Sequence, residues 1–328
     1  MTELHFPWLE ATVAVPLFGA VYLSRLKSSA TAYRHSVALT LATLAIATGA
    51  WLDFLGLHTF ESHDVQSVVQ RLFGEEFLVV DELSAPLLPL AALLYAMTII
   101  STMRTKINRF SFAWTLCSEA ILLATFSCRQ PWALITLLAL GAIPPWIEIR
   151  SRGYSTRIYS LHAALFVGLL AIGWWLTATF PPQSDSTSMG ALVGGCMLLL
   201  AAALRGGISP LHIWITDLFQ KATFGSALLY VTPMTGAYAI MRLVFPISPA
   251  WVLQGIAFVS LATAVYTACL ALVERDARRF FCYVFLSHSS LVLVGLELVN
   301  PIGLTGALCV WLSASLSLGA FGLTLRAI

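Results

Sequence analysis

Charge is what this sequence has least of. Of its 328 residues only 10% are charged, whereas 59% are hydrophobic; soluble domains carry roughly 25% and 45–50%. A water-soluble globule of this size cannot hide so much apolar surface, which excludes a soluble enzyme. The same balance excludes a disordered chain. Eighteen Lys and Arg against sixteen Asp and Glu leave a net charge of +2, too small and too scattered an excess for a nucleic-acid binder. Paired cysteines are lacking too. Cys117, Cys128, Cys196, Cys269, Cys282 and Cys309 form no CxxC pair, and cluster or zinc ligation needs grouped thiolates, so they read as small packing residues. No basic segment precedes the first apolar run, which therefore reads as a retained span rather than a cleaved signal. A Gly-rich phosphate loop after a strand is also missing. The chain is expected to bind no cofactor or metal of its own and to hold no catalytic residue.

What is present is a succession of apolar runs. Eleven candidate helices fall at about 7–24, 37–57, 80–102, 110–128, 131–149, 158–180, 189–209, 224–244, 251–273, 281–298 and 302–325, each near the ~20 residues a bilayer span requires. The breaks between them carry an orientation signal. Alternate breaks hold Arg25, Lys27 and Arg34; Arg104, Lys106 and Arg109; Arg150, Arg152 and Arg157; Lys221; Arg275, Arg278 and Arg279; and Arg326. That is fourteen of the eighteen basic residues. The other breaks hold Arg71, Arg129 and Arg242. The positive-inside rule then places the N-terminus outside and the C-terminus in the cytoplasm of a cell inner membrane. The longest break, 58–79, contains Glu61, Asp64, Glu75 and Glu76 and is expected outside, with a small amphipathic helix around 65–73.

Ionisable groups at membrane depth are functional candidates by default. Arg205 is followed by Gly206, Gly207 and Pro210, a combination that interrupts a helix and frees backbone carbonyls; broken helices of this kind build ion sites in transporters. An Arg snorkelling from the last turn of its helix fits the same residues. His212, Asp217 and Lys221 follow, with Asp217 and Lys221 at i,i+4 spacing; a solvated interface helix is the alternative. Glu119 lies mid-span with a side chain too short to snorkel, and so needs a partner or a proton; a hydrogen-bonded structural Glu is the alternative. His288 sits among Ser287, Ser289 and Ser290, placed for a proton relay or for helix-packing hydrogen bonds. Tyr230 and Thr232, beside Pro233, read first as packing and kink residues.

The stretch Leu204-Arg-Gly-Gly-Ile-Ser-Pro-Leu-His-Ile-Trp-Ile-Thr-Asp217, with Ser226-Ala-Leu-Leu229 and Gly236-Ala-Tyr-Ala-Ile-Met-Arg242, resembles the signature of the antiporter-like membrane subunits of respiratory complex I, relatives of multisubunit sodium/proton antiporters. Glu274-Arg-Asp-Ala-Arg-Arg-Phe-Phe-Cys-Tyr283 through His288 and Asp81-Glu-Leu-Ser84 resemble two further family segments, and Ile143-Pro144 is similar to the subunit M branch. The resemblance covers most of residues 80–325. It implies an all-α polytopic bundle with a broken seventh helix: helices 1–3 over 1–102, a first repeat over 103–244, and an incomplete second inverted repeat over 245–328, since family members usually continue for several more helices. It also implies membrane-subunit partners, and redox subunits or a soluble zinc protein through the complex.

The departures from the pattern are as informative. Ala139 stands where the family has a Glu, and Arg205 where it has a Lys. Tyr230 replaces a basic residue, and the neighbourhood of Ser313 and Ser317 replaces a His and a Lys. A guanidinium does not exchange its proton at accessible pH. The resemblance thus implies a proton-translocating or coupling subunit of a complex I-like assembly, poor in titrating groups. A cation/proton antiporter or inorganic-carbon uptake subunit, and a non-conducting scaffold, are the alternatives.

Overall fold

The computed structural model describes residues 2–65, 67, 69, 71, 77–102, 107, 110–180, 189–298 and 300–327. Arg104, Lys106, Arg109, Glu75, Glu76 and much of the stretch 65–73 expected to be helical lie outside the described residues. The chain forms two compact units, residues 1–144 with 327–328, and residues 145–326.

The first unit is a helix cluster with a small sheet at one end. Its helices are α1 (Trp8–Ser24), α2 (Ser29–Leu57), α3 (Ser84–Ile100), α4 (Phe112–Ser127) and α5 (Pro131–Gly141). α2 starts two turns earlier than its apolar run, because Ser28 caps it by accepting from the Thr31 N–H at 3.4 Å and so carries the polar stretch from Tyr33 to Ser36 into the helix. Helix α1 packs closely on α2 and α4: a Cβ on Gly19 would stand 2.7 Å from Leu116 and 2.9 Å from Leu39. Strands β1 (Thr2–Leu4), β2 (Glu61–Asp64) and β3 (Val79–Asp81) form one sheet, β1 parallel to β2 and β3 antiparallel to it. From β2 the Asp64 carboxylate accepts from the Leu9 and Glu10 N–H groups at 3.0 and 2.7 Å, satisfying orphan donors at the start of α1. Burial nonetheless pushes the Asp64 carboxyl up from 3.8 to about 6.

The second unit continues from helix α6 (Ile143–Ser151), within which the sequence boundary falls. It contains α7 (Arg157–Thr179), α8 (Met189–Gly206), α9 (Ile213–Lys221), α10 (Phe224–Val231), α11 (Thr235–Ala239) running into a π-helical turn at Ile240–Val244, α12 (Ala250–Val273), α13 (Ala277–Glu297) and α14 (Pro301–Ala327). Helices α7 and α8 form one tight pair, with the Gly173 and Gly194 backbones in contact, and α12 and α13 form another.

Eight helical stretches among the described residues are long and apolar enough to cross a bilayer. The further apolar helices α1, α3 and α4 run 17, 17 and 16 residues, close to the ~17-residue lower limit. Large apolar side chains such as Phe18, Trp175, Phe258 and Leu272 point outward, as lipid-facing residues do. Two expected runs are interrupted: the one at 131–149 is divided between α5 and α6, and the one at 224–244 between α10 and α11.

Candidate functional site

The interruption after Arg205 has a specific cause. Gly207 adopts φ +73°, and the Gly207 and Ile208 N–H groups bond back to the Leu204 and Ala203 carbonyls at 3.3 and 3.1 Å. This is a Schellman termination, which needs a residue free to adopt the left-handed conformation. A Cβ on Gly207 would also stand 2.7 Å from Ile215 and Leu286. The chain then turns through Pro210 to start α9.

A second interruption faces the first. Pro233 has no N–H to give Leu229, and Met234 adopts φ +52°, with its N–H directed to the Val231 carbonyl at 3.1 Å. The Tyr230 and Thr232 carbonyls therefore lose their helical partners. Arg205 Nη2 donates to the Tyr230 carbonyl at 3.2 Å and Ser315 Oγ to the Thr232 carbonyl at 3.1 Å. Arg205 Nε donates to Thr235 Oγ1 at 3.0 Å. The two breaks touch through their backbones: a Cβ on Gly236 would lie 2.9 Å from the Gly206 nitrogen.

Arg205 sits in the last turn of α8, as a snorkelling Arg would, but its side chain is only 7% exposed. It folds inward over aromatic rings, 3.7 Å from the Tyr230 centroid, 5.1 Å from that of Trp214 and 6.0 Å from that of Phe166. Desolvated cation–π contacts contribute about 2 kcal/mol or more each and partly offset the cost of burying the charge. Among the described residues no carboxylate pairs with Arg205, and Nη1 has no protein partner. Beside it lies a cavity of about 20 Å³ bordered by Met234, Thr235, Phe285, Ser289 and Leu293, room for one water molecule.

The remaining candidates are distributed as follows. Tyr230 forms the floor under Arg205. Asp217 and Lys221 form an ion pair at 2.7 Å, and Lys221 Nζ also donates to the Ser155 carbonyl at 2.9 Å, so the pair ties the end of α9 to the segment before α7. His212 is half-buried at the start of α9, flanked by the rings of Tyr266 and Tyr283, and its Nδ1 has no partner among the described residues. The His288 ring is on the exposed face of α13 and bonds the Val284 carbonyl of its own helix at 2.9 Å. Glu119 belongs to the first unit. It is fully buried on α4, and neither carboxyl oxygen has a partner among the described residues.

Sequence reasoning missed His162 and Glu297. The His162 ring stacks on Trp214 with centroids 4.0 Å apart, and both its ring nitrogens are buried without partners among the described residues. Glu297 is fully buried at the end of α13. Each is an ionisable residue inside a largely apolar run, a signal available in the sequence but outweighed there by the glycine–proline break. No group of three His, Cys, Asp or Glu among the described residues is placed to hold a metal ion.

Comparison with known proteins bears on the fold that carries this geometry. The family model described as NADH:quinone oxidoreductase/Mrp antiporter, TM matches residues 166–327. An NAD(P)H-quinone oxidoreductase chain 4 of Nostoc sp. is 25% identical, aligned over 94% of this chain and 62% of its own length; the chain thus spans about three fifths of that relative. A chain of respiratory complex I from Thermus thermophilus superimposes with a TM-score of 0.79 at 19% identity, covering 97% of this chain and 71% of that one. A chain of the Mrp complex from Dietzia sp. does so at 0.75 and 18% identity, covering 98% and 64%. These two share the fold.

Proposed function

From the premise that this chain is a divergent relative of the antiporter-like membrane subunits of complex I and Mrp assemblies, we propose that it is a coupling subunit in the membrane arm of a complex I-like energy-converting assembly. One observation carries the reading: Arg205, a buried cation without a carboxylate partner among the described residues, stands where two broken helices meet. Broken helices at membrane depth place charge and unpaired backbone at an ion path. A guanidinium there keeps its proton, so its part is electrostatic: it biases the charge of neighbouring groups rather than carrying a proton itself. Electron transfer belongs to other chains of the assembly, and this chain supplies membrane-embedded coupling. The basic residues that alternate along the breaks support an N-terminus outside and a C-terminus in the cytoplasm, in the cell inner membrane.

The test is redox-driven proton movement by the intact assembly in proteoliposomes. Arg205→Ala and Glu119→Gln are each expected to lower proton movement per electron transferred. Unchanged stoichiometry in both variants leaves only a scaffold. The likeness to the Mrp chain favours a cation/proton antiporter as the second reading. Isolation in mild detergent separates the two: co-purifying iron–sulfur chains support the first, and antiporter chains alone support the second.

A further inference from the structure

We propose that Glu297 is a proton-exchange site of the second unit, placed on the same helix face that lines the Arg205 cavity and at the opposite end of α13 from its arginines. The inference deepens the coupling role proposed above. Helix α13 has 21 residues and at ~1.5 Å per residue is about as long as a bilayer core is thick. It begins beside Arg275, Arg278 and Arg279 and ends at Glu297. Ser289 and Leu293 border the cavity beside Arg205. Glu297 follows Leu293 by four residues and Ser289 by eight, so the three share one face, with Glu297 roughly 6 and 12 Å further along the axis.

The surroundings of Glu297 suit a proton and little else. The residue is 0% exposed. Its Oε2 accepts from Ser260 Oγ on α12 at 2.9 Å, while Oε1 is buried without a partner among the described residues. No cation pairs with it among the described residues. A bound metal cation would require several oxygen ligands, and among the described residues the Ser260 hydroxyl is the one hydrogen-bond partner of this carboxyl group. An unfilled buried oxygen is costly, and a hydron on Oε1 neutralises the group. On the α14 side access is shut, because the Gly295 and Gly303 backbones meet: a Cβ on Gly295 would lie 2.8 Å from Ala307 and one on Gly303 2.8 Å from the Gly295 carbonyl. Leu298, the next residue, is the C-cap of α13, so Glu297 is the last residue of the helix. The step is a proton transfer alone: an O–H bond forms at Oε1 as a water or hydronium gives up its proton, and the same bond breaks on release. Leu293, one helical turn before Glu297, lines the Arg205 cavity.

Dicyclohexylcarbodiimide tests the assignment, since it captures protonated carboxyl groups in apolar surroundings as stable N-acylureas. The intact assembly is treated across a pH series and its peptides are weighed by mass spectrometry. Modification of Glu297 is expected, declining as pH rises and absent from Glu297→Gln. Proton movement is expected to fall in Glu297→Gln and to recover in part in Glu297→Asp. Glu297 unmodified at every pH while the buried Glu119 reacts, or wild-type proton movement in Glu297→Gln, overturns the proposal. If the glutamine variant does not assemble, the labelling of the wild-type chain decides alone. Labelling needs no electron transfer: pH-dependent capture at Glu297 in a chain that co-purifies with no redox partner supports the site while removing only the complex I-like assembly.

Discussion

A guanidinium held by one carbonyl, one hydroxyl and three aromatic rings differs from a lysine ammonium at the same place. The fork of Arg205 spends Nε on Thr235 and Nη2 on Tyr230 while its Cζ lies over the Tyr230 ring. An ammonium cannot do all three, and it can release its proton when desolvated. Arg205→Lys is therefore expected to raise passive proton flux into vesicles carrying the assembly, read with a trapped pH dye; flux equal to wild type would show that charge exchange at this position is not limiting. Asp64 yields a second expectation. Its carboxyl titrates at about 6 in the fold against 3.8 when unfolded, so between those values the native state holds the proton more tightly. Stability is greatest below about pH 4, is lost as pH rises through about 6, and is flat above, an effect of up to about 3 kcal/mol. Thermal unfolding in detergent from pH 4 to 8 is expected to show this slope in the wild type and a shallower one in Asp64→Asn.

At the scale of elements, the junction of α8 with α11 depends on glycine at 236. Alanine there would put a Cβ 2.9 Å from the Gly206 nitrogen and 3.2 Å from the Arg205 carbonyl carbon, both backbone atoms that cannot step aside. Gly236→Ala is expected to cost about 1–3 kcal/mol and to lower the unfolding temperature. Gly195→Ala, on α8 with nothing within 4 Å of its Cβ, is the control and is expected to lose nothing. The α8 interruption was legible in the sequence, since Gly206, Gly207 and Pro210 are strong local breakers. The partners of Arg205 were not. The Tyr230 carbonyl is freed because the left-handed Met234 turns its N–H to Val231, a backbone effect that becomes an acceptor for Arg205 only once two segments 25 residues apart meet. The same limit hid His162 and Glu297, whose neighbours Trp214 and Ser260 come from other helices.

For the whole molecule, composition alone was enough to read a membrane bundle, because the bilayer demands long apolar helices and little else provides them. Helix ends were less legible: α2 gained two polar turns from its Ser28 cap, and the short α1, α3 and α4 owe their boundaries to local turns. The proposed orientation has a direct check. Tyr154 and Phe60 are exposed in loops, and Tyr154→Cys and Phe60→Cys are expected to react with an impermeant maleimide from opposite sides, Tyr154→Cys from the cytoplasm. Labelling of both from one side would refute the alternation of spans between them.

The permanence of the charge at residue 205 has an electrical consequence. A unit charge carried across a full membrane potential of 100 mV exchanges about 2.3 kcal/mol with the field. A titrating group sheds that load by letting go of its proton. Arg205 cannot, and its side chain is clasped between two helix ends, so the field pulls on the polypeptide itself. With residue 205 inside the field, as the proposed coupling role requires, voltage acts as a mechanical force on the crossing of α8 with α10 and α11.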